Sequence, residues 1–148
     1  MTEALPPGVL RVDADVARLG EIRRFVREAA SAANAPIGCL DDLVQAVDEA
    51  ATNVITHGYK GSPGWIEVGV ALAGDRFIVT LEDEAPEFDP TRVAEPDLTV
   101  PPMARKPGGM GVHLMREATD ALSHRPRPGG GNILTLVRSR TAGRKEED

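Results

Sequence analysis

The chain has 148 residues, 41% of them hydrophobic, and a net charge of -6, enough for one domain with a buried core and too little for two independent ones. With 3% aromatic residues and no lysine or arginine run, it offers neither a base-stacking platform nor a phosphate-neutralising stripe, so direct nucleic-acid binding is not expected. Cys39 is the single cysteine, which excludes an intrachain disulfide; the acidic start MTEALPPGVLRVDADV and the lack of any long apolar run point to a cytoplasmic protein without a membrane segment.

From Val16 onward, Leu19, Ile22, Val26, Ala29 and Ala33 recur at helical spacing, and Asn34-Ala35-Pro36 supplies a stop. A second helix is predicted from Gly38 or Cys39 to Gly58, its apolar stripe carried by Leu43, Val47, Ala50 and Val54. After the loop GYKGSPG, WIEVGVAL alternates as a half-buried strand, and a turn at Ala73 to Arg76 leads into FIVTLED. Phe77, Val79 and Leu81 share a face there, and Asp83 has the same parity. Residues 84–109 contain Pro86, Pro90, Pro96, Pro101, Pro102 and Pro107 and keep no period, which reads as a long lid or binding segment. GVHLMREATDAL is a third helix, with Leu114, Met115, Ala118 and Ala121 as its stripe. ALSHR and NILTLVR are closing strands around PRPGGG, and residues 141–148 form a frayed tail. This order suggests an α+β fold, a two-layer sandwich of helices on one face of a mixed, largely antiparallel sheet.

Three places stand out chemically. In DEAATNVITHGY, Glu49 and Asn53 lie one turn apart, on a line about 100° or more from the centre of the core stripe. A solvated helix face meets that spacing as well as a site does, although Asn is a mild cost inside a helix because its side chain competes for backbone bonds. Asp83 either ends its strand in water or aims a carboxylate between sheet and helices, where it would need a donor. In RKPGGMGVHLM, Gly108, Gly109 and Gly111 open a helix, as a flexible hinge or as a phosphate cradle at the positive end of the helix dipole. The three histidines, His57, His113 and His124, lack zinc-ligand spacing.

In this order, the helix EAATN, the strand end EDEAPEFDP and the later KPGGMGVHLM resemble the N box and the two glycine boxes of the GHKL, or Bergerat-fold, ATPase superfamily. ATNVITHGY, the FDP at Phe88 to Pro90 and the small size resemble its anti-sigma factor serine kinases, over Val16 to Arg138. The resemblance implies ATP and Mg²⁺ as cofactors, with Asn53 holding the metal, Glu49 as general base and Asp83 accepting from the adenine amine. It further places Lys106, Gly108, Gly109, Met110 and Gly111 around the phosphates, Ala85 at the first glycine box and Thr135 at the adenine end. The activity implied is serine phosphorylation of a STAS-domain anti-anti-sigma antagonist by a homodimeric protein that otherwise binds a sigma factor or similar client. The alternative is a nucleotide-gated binding module with little transfer. One departure favours that alternative: Ala85 stands where the superfamily has glycine, and if the backbone there needs a positive φ, alanine costs on the order of 1 kcal/mol.

Overall fold

In the computed structural model, which describes residues 8–101, 103 and 109–141, the first helix, α1, runs Leu19–Ala32 behind a 3-10 turn over Val16–Arg18. Ile22, Val26 and Ala30 are its buried line; Ala30 takes the place expected of Ala29, because steps of four from Ile22 keep to one side of the helix. The stop is a Schellman cap. Asn34 sits at φ 64, its N–H donates to Ser31 O at 2.9 Å, and the Ala35 N–H donates to Ala30 O at 3.0 Å. Asparagine takes the left-handed position at low cost, and Pro36 prevents the helix from resuming.

Helix α2, Ile37–Asn53, is central: it packs on α1, on the third helix and on the sheet. That explains a buried side wider than one stripe, with Leu40, Leu43, Val44, Val47, Ala50 and Ala51 all enclosed. The helix was expected to run to Gly58 in one geometry. Instead Val54–Tyr59 widens into a π-helix, closed by Lys60 and Gly61 at φ 54 and 86. The Thr52 and Thr56 hydroxyls donate back to Asp48 O and Thr52 O at 2.7 and 2.8 Å, a pattern that loosens the helical ladder. Such π insertions gather at functional sites.

The π turn delivers Tyr59 to a buried junction, where its hydroxyl donates to Trp65 O and accepts from the Glu84 N–H, each at 2.8 Å. Gly64 is required alongside, since a Cβ there would lie 2.2 Å from the Tyr59 ring. Tyr59→Phe is expected to leave both backbone groups unsatisfied, costing about 1–3 kcal/mol. Thermal denaturation should show a fall in melting temperature of roughly 3–10 °C.

The sheet has five strands in the order β1 (Val9–Asp13), β2 (Trp65–Ala73), β3 (Arg76–Asp83), β5 (Asn132–Ser139), β4 (Ala121–Pro126). All its pairings among the described residues are antiparallel. Strand β1 adds to the expected elements; VLRVD is too short to show a strand period without its partner β2. Helix α3, Gly109–Ala118, ends before the expected Leu122, since the Asp120 N–H already bonds to Val137 O at 2.7 Å. Its end sets the start of β4.

The inner sheet face presents Ile66, Val68, Phe77, Val79, Leu81 and Leu136 to Ile22, Val26, Leu43, Val47 and Met115 of the helices. Each apolar row of β3 and β5 keeps the two-residue period. Where the rows end, two buried polar residues stand opposite each other in register, Asp83 and Asn132. At the far end of β5, buried Arg138 reaches Asp42 of α2 at 3.0 Å.

Candidate active site

Asp83 is 2% exposed. Its Oδ1 accepts from the Ala85 N–H and from Asn132 Nδ2, each at 2.9 Å. No donor among the described residues serves its Oδ2. Burial pushes the carboxyl above the usual carboxylate range, opposed by those two bonds and by His124. Around it is a pocket with about 450 Å³ of empty space, its open mouth included, walled by Ala50, Val54, Leu81, Met115 and Leu134 with Asn53, Asp83, His124 and Asn132 as its polar points. Apolar walls with a few convergent polar groups suit a flat heteroaromatic ligand.

Glu49 and Asn53 are both half-buried on α2, and they face α3 at one glycine. A Cβ on Gly111 would lie 3.1 Å from Glu49 Oε1 and 3.6 Å from Asn53 Oδ1. Their side chains have no hydrogen-bond or ion-pair partner among the described residues. Desolvation, then the neighbouring Asp48, raises the Glu49 pKa. An acid so placed is a better proton acceptor than a free glutamate. Asn53 also lines the Asp83 pocket, so α2 joins the two places.

Of the second glycine box, Gly109 is buried, while Met110 and Gly111 are half-buried on α3. Lys106 and Gly108 lie outside the described residues, as does the tail from residue 142. The segment after Asp83 is more anchored than its prolines suggested. Asp89 caps a 3-10 turn over Pro90–Arg92, accepting from the Thr91 N–H at 2.9 Å. Arg116 of α3 donates to Thr91 O and Val93 O at 3.0 and 2.8 Å, and Glu95 binds Arg116 and His113 at 3.0 and 2.8 Å.

Two expectations change. Ala85 does not have a positive φ, so the backbone cost reserved for it does not arise. It is 2% exposed, and its methyl is accommodated by Gly58, where a Cβ would come within 3.0 Å. Thr135 does not reach the pocket: it alternates with buried Leu134 and Leu136 and pairs with Thr80 on the opposite sheet face. The β5 residue that faces Asp83 in register is Asn132. Parity with Leu134 and Leu136 was the available signal, whereas His124 carried none beyond its strand.

Residues 12–138 match the family model of a histidine kinase-like ATPase domain. The chain belongs to that family. Within it, the chain is 33% identical over 96 residues to serine/threonine-protein kinase BtrW of Bordetella bronchiseptica, covering 64% of this chain and 67% of that one. It is 28% identical over 97 residues to an anti-sigma F factor of Thermoanaerobacter sp. (66% and 68% covered). Serine-protein kinase RsbW of Bacillus cereus is 28% identical over 85 residues, 55% of this chain and 53% of that protein. The fold is that of the crystal structure of the RsbU and RsbW domains of Rv1364c from Mycobacterium tuberculosis, with a TM-score of 0.67 at 20% identity. That likeness covers 97% of this chain and 35% of the other. In this chain the helices cover one side of the antiparallel sheet, and the pocket is lined from both layers. Among the described residues no helix is long and apolar enough to cross a membrane.

Proposed function

We propose that the protein is an ATP-dependent serine kinase and anti-sigma regulator, which binds a sigma factor or similar client and phosphorylates a serine of a STAS-domain antagonist. The observation that carries this reading is the pairing at Gly111: an unpartnered glutamate with a raised pKa and an unpartnered asparagine that also lines the pocket holding Asp83. Two features fit a nucleotide. Asp83 Oδ2 is a buried acceptor in want of a donor such as the adenine amine, and the missing side chain at Gly111 leaves a cradle before Glu49 and Asn53.

Mg-ATP supplies the transferable phosphoryl group; the chain supplies position and proton transfer. Asn53 would hold the Mg²⁺ through its one side-chain carbonyl oxygen, and the ion would supply neutralisation of the phosphate charge. Gly109, Met110 and Gly111 of α3 would hold the phosphates, at the positive end of the helix dipole. Glu49 takes the proton of the incoming serine hydroxyl. Kinase activity is preferred to nucleotide-gated binding because Glu49 is retained and Ala85 sits without a left-handed backbone.

The test is capture of partners from the source cell with and without Mg-ATP, followed by mass spectrometry for phosphoserine. A small antagonist phosphorylated on serine only with Mg-ATP is expected, together with a sigma factor or similar client. Capture without phosphoserine under any nucleotide condition would contradict kinase activity.

A further inference from the structure

Building on the ATP reading, we propose that Asn132 is a positioning residue of the base pocket, whose amide presents the free oxygen of Asp83 and latches the 85–88 segment to the sheet. Every polar valence of this side chain is used. Nδ2 donates to Asp83 Oδ1 at 2.9 Å and to the carbonyls of Pro86 and Ala85 at 3.2 and 3.4 Å. Oδ1 accepts from the Phe88 N–H and from His124 Nε2, both at 2.8 Å.

A backbone N–H can only donate, so Phe88 fixes which end of the amide is oxygen. That in turn puts a proton on Nε2 of His124, whose side chain is 3% exposed and whose Nδ1 lies 3.9 Å from Asp89 Oδ2. Turning the amide over would set its oxygen against the Asp83 carboxylate and its NH₂ against two donors. The orientation is therefore locked from four sides. Because Asn132 and the Ala85 N–H together saturate Oδ1, Oδ2 is the oxygen left to read a ligand. The same amide holds the chain that leaves β3, so base recognition and the position of this segment depend on one group.

Two variants separate positioning from bulk. N132A is expected to lower ATP affinity roughly 10- to 100-fold, the loss of a hydrogen bond to a charged group, and to narrow the preference for ATP over GTP. N132D sets a second carboxylate against Asp83. At about pH 7.5 it should bind ATP no better than N132A, and toward about pH 5 the pair shares a proton that replaces the Nδ2 hydrogen, so affinity relative to wild type recovers about tenfold. The charged and titratable groups around this point are Glu82 and Asp83 on β3, Glu84 and Asp89 on the following segment, His124 on β4 and Arg127 beyond it. N132A carries all of them unchanged, so recovery confined to N132D isolates the new pair.

Isothermal titration gives the affinities, and hydrogen exchange at the Phe88 amide reads the latch without nucleotide: slow in wild type, fast in N132A. Wild-type affinity and preference in a folded N132A would overturn the proposal and leave the ATP reading standing; so would an N132D with no recovery on acidification. If N132A does not fold, the pH response of N132D decides. If wild type binds no ATP, the ATP reading and this proposal fail together, and slow Phe88 exchange in wild type against fast exchange in N132A would leave Asn132 a structural latch only.

Discussion

Glu49→Gln should lower γ-phosphoryl transfer to serine by about 10²- to 10⁴-fold while leaving ATP affinity close to wild type. The substitution keeps size and helix propensity and removes only the proton acceptor. The carboxylate makes no hydrogen bond or ion pair among the described residues, so no structural contact is lost with it. Its raised pKa comes from desolvation first and Asp48 second, and Asp48 is itself tied to Arg23 at 2.7 Å. Single-turnover transfer to the captured antagonist measures the rate, and titration with Mg-ATP measures the binding. A variant that transfers as fast as wild type would remove Glu49 from the chemistry.

The second large effect belongs to Asp83→Asn. Wild type should favour ATP over GTP by about tenfold or more, since guanine presents a carbonyl where adenine presents an amine and would leave a buried carboxylate facing an acceptor. The variant should lose both affinity and preference. Its stability should move the other way. Burial holds the folded Asp83 pKa above its unfolded value, so the folded state keeps a proton that the unfolded chain has lost, and stability falls as pH rises through the window above the unfolded value. Removing the carboxylate is therefore expected to flatten that fall and to raise the melting temperature of the nucleotide-free protein at neutral pH. Equal competition by ATP and GTP in wild type would make Asp83 a structural acid.

Periodicity explains how much of this was legible. The helical spacing of Ile22, Val26 and Leu43, and the two-residue alternation of β2, β3 and β5, are local properties that survive folding unchanged. Hence the layers, the hairpin and the parity of Asp83 could be read along the chain. Strand β1 could not, because five residues alternate too briefly to stand apart without their partner β2. Nor could the π turn, whose apolar residues Ile55 and Tyr59 keep a spacing that an α-helix also satisfies. The convergence of Asn132 and His124 on Asp83 depends on cross-strand register between segments far apart in sequence. Local pattern carries no information about that pairing. The cost expected at Ala85 does not arise because its backbone is not left-handed, and the room for its methyl comes from Gly58 on another element.

An ATP site built on α2 is tested most directly by isothermal titration with Mg-ATP of wild type and Asn53→Ala side by side. The expected result is saturable one-to-one binding by wild type, displaced by ADP, and binding weakened by about tenfold or more in the variant, which removes an oxygen ligand from the metal. No saturable binding at millimolar Mg-ATP, or equal binding by the two proteins, would contradict it and return Glu49 and Asn53 to the solvated face of a helix.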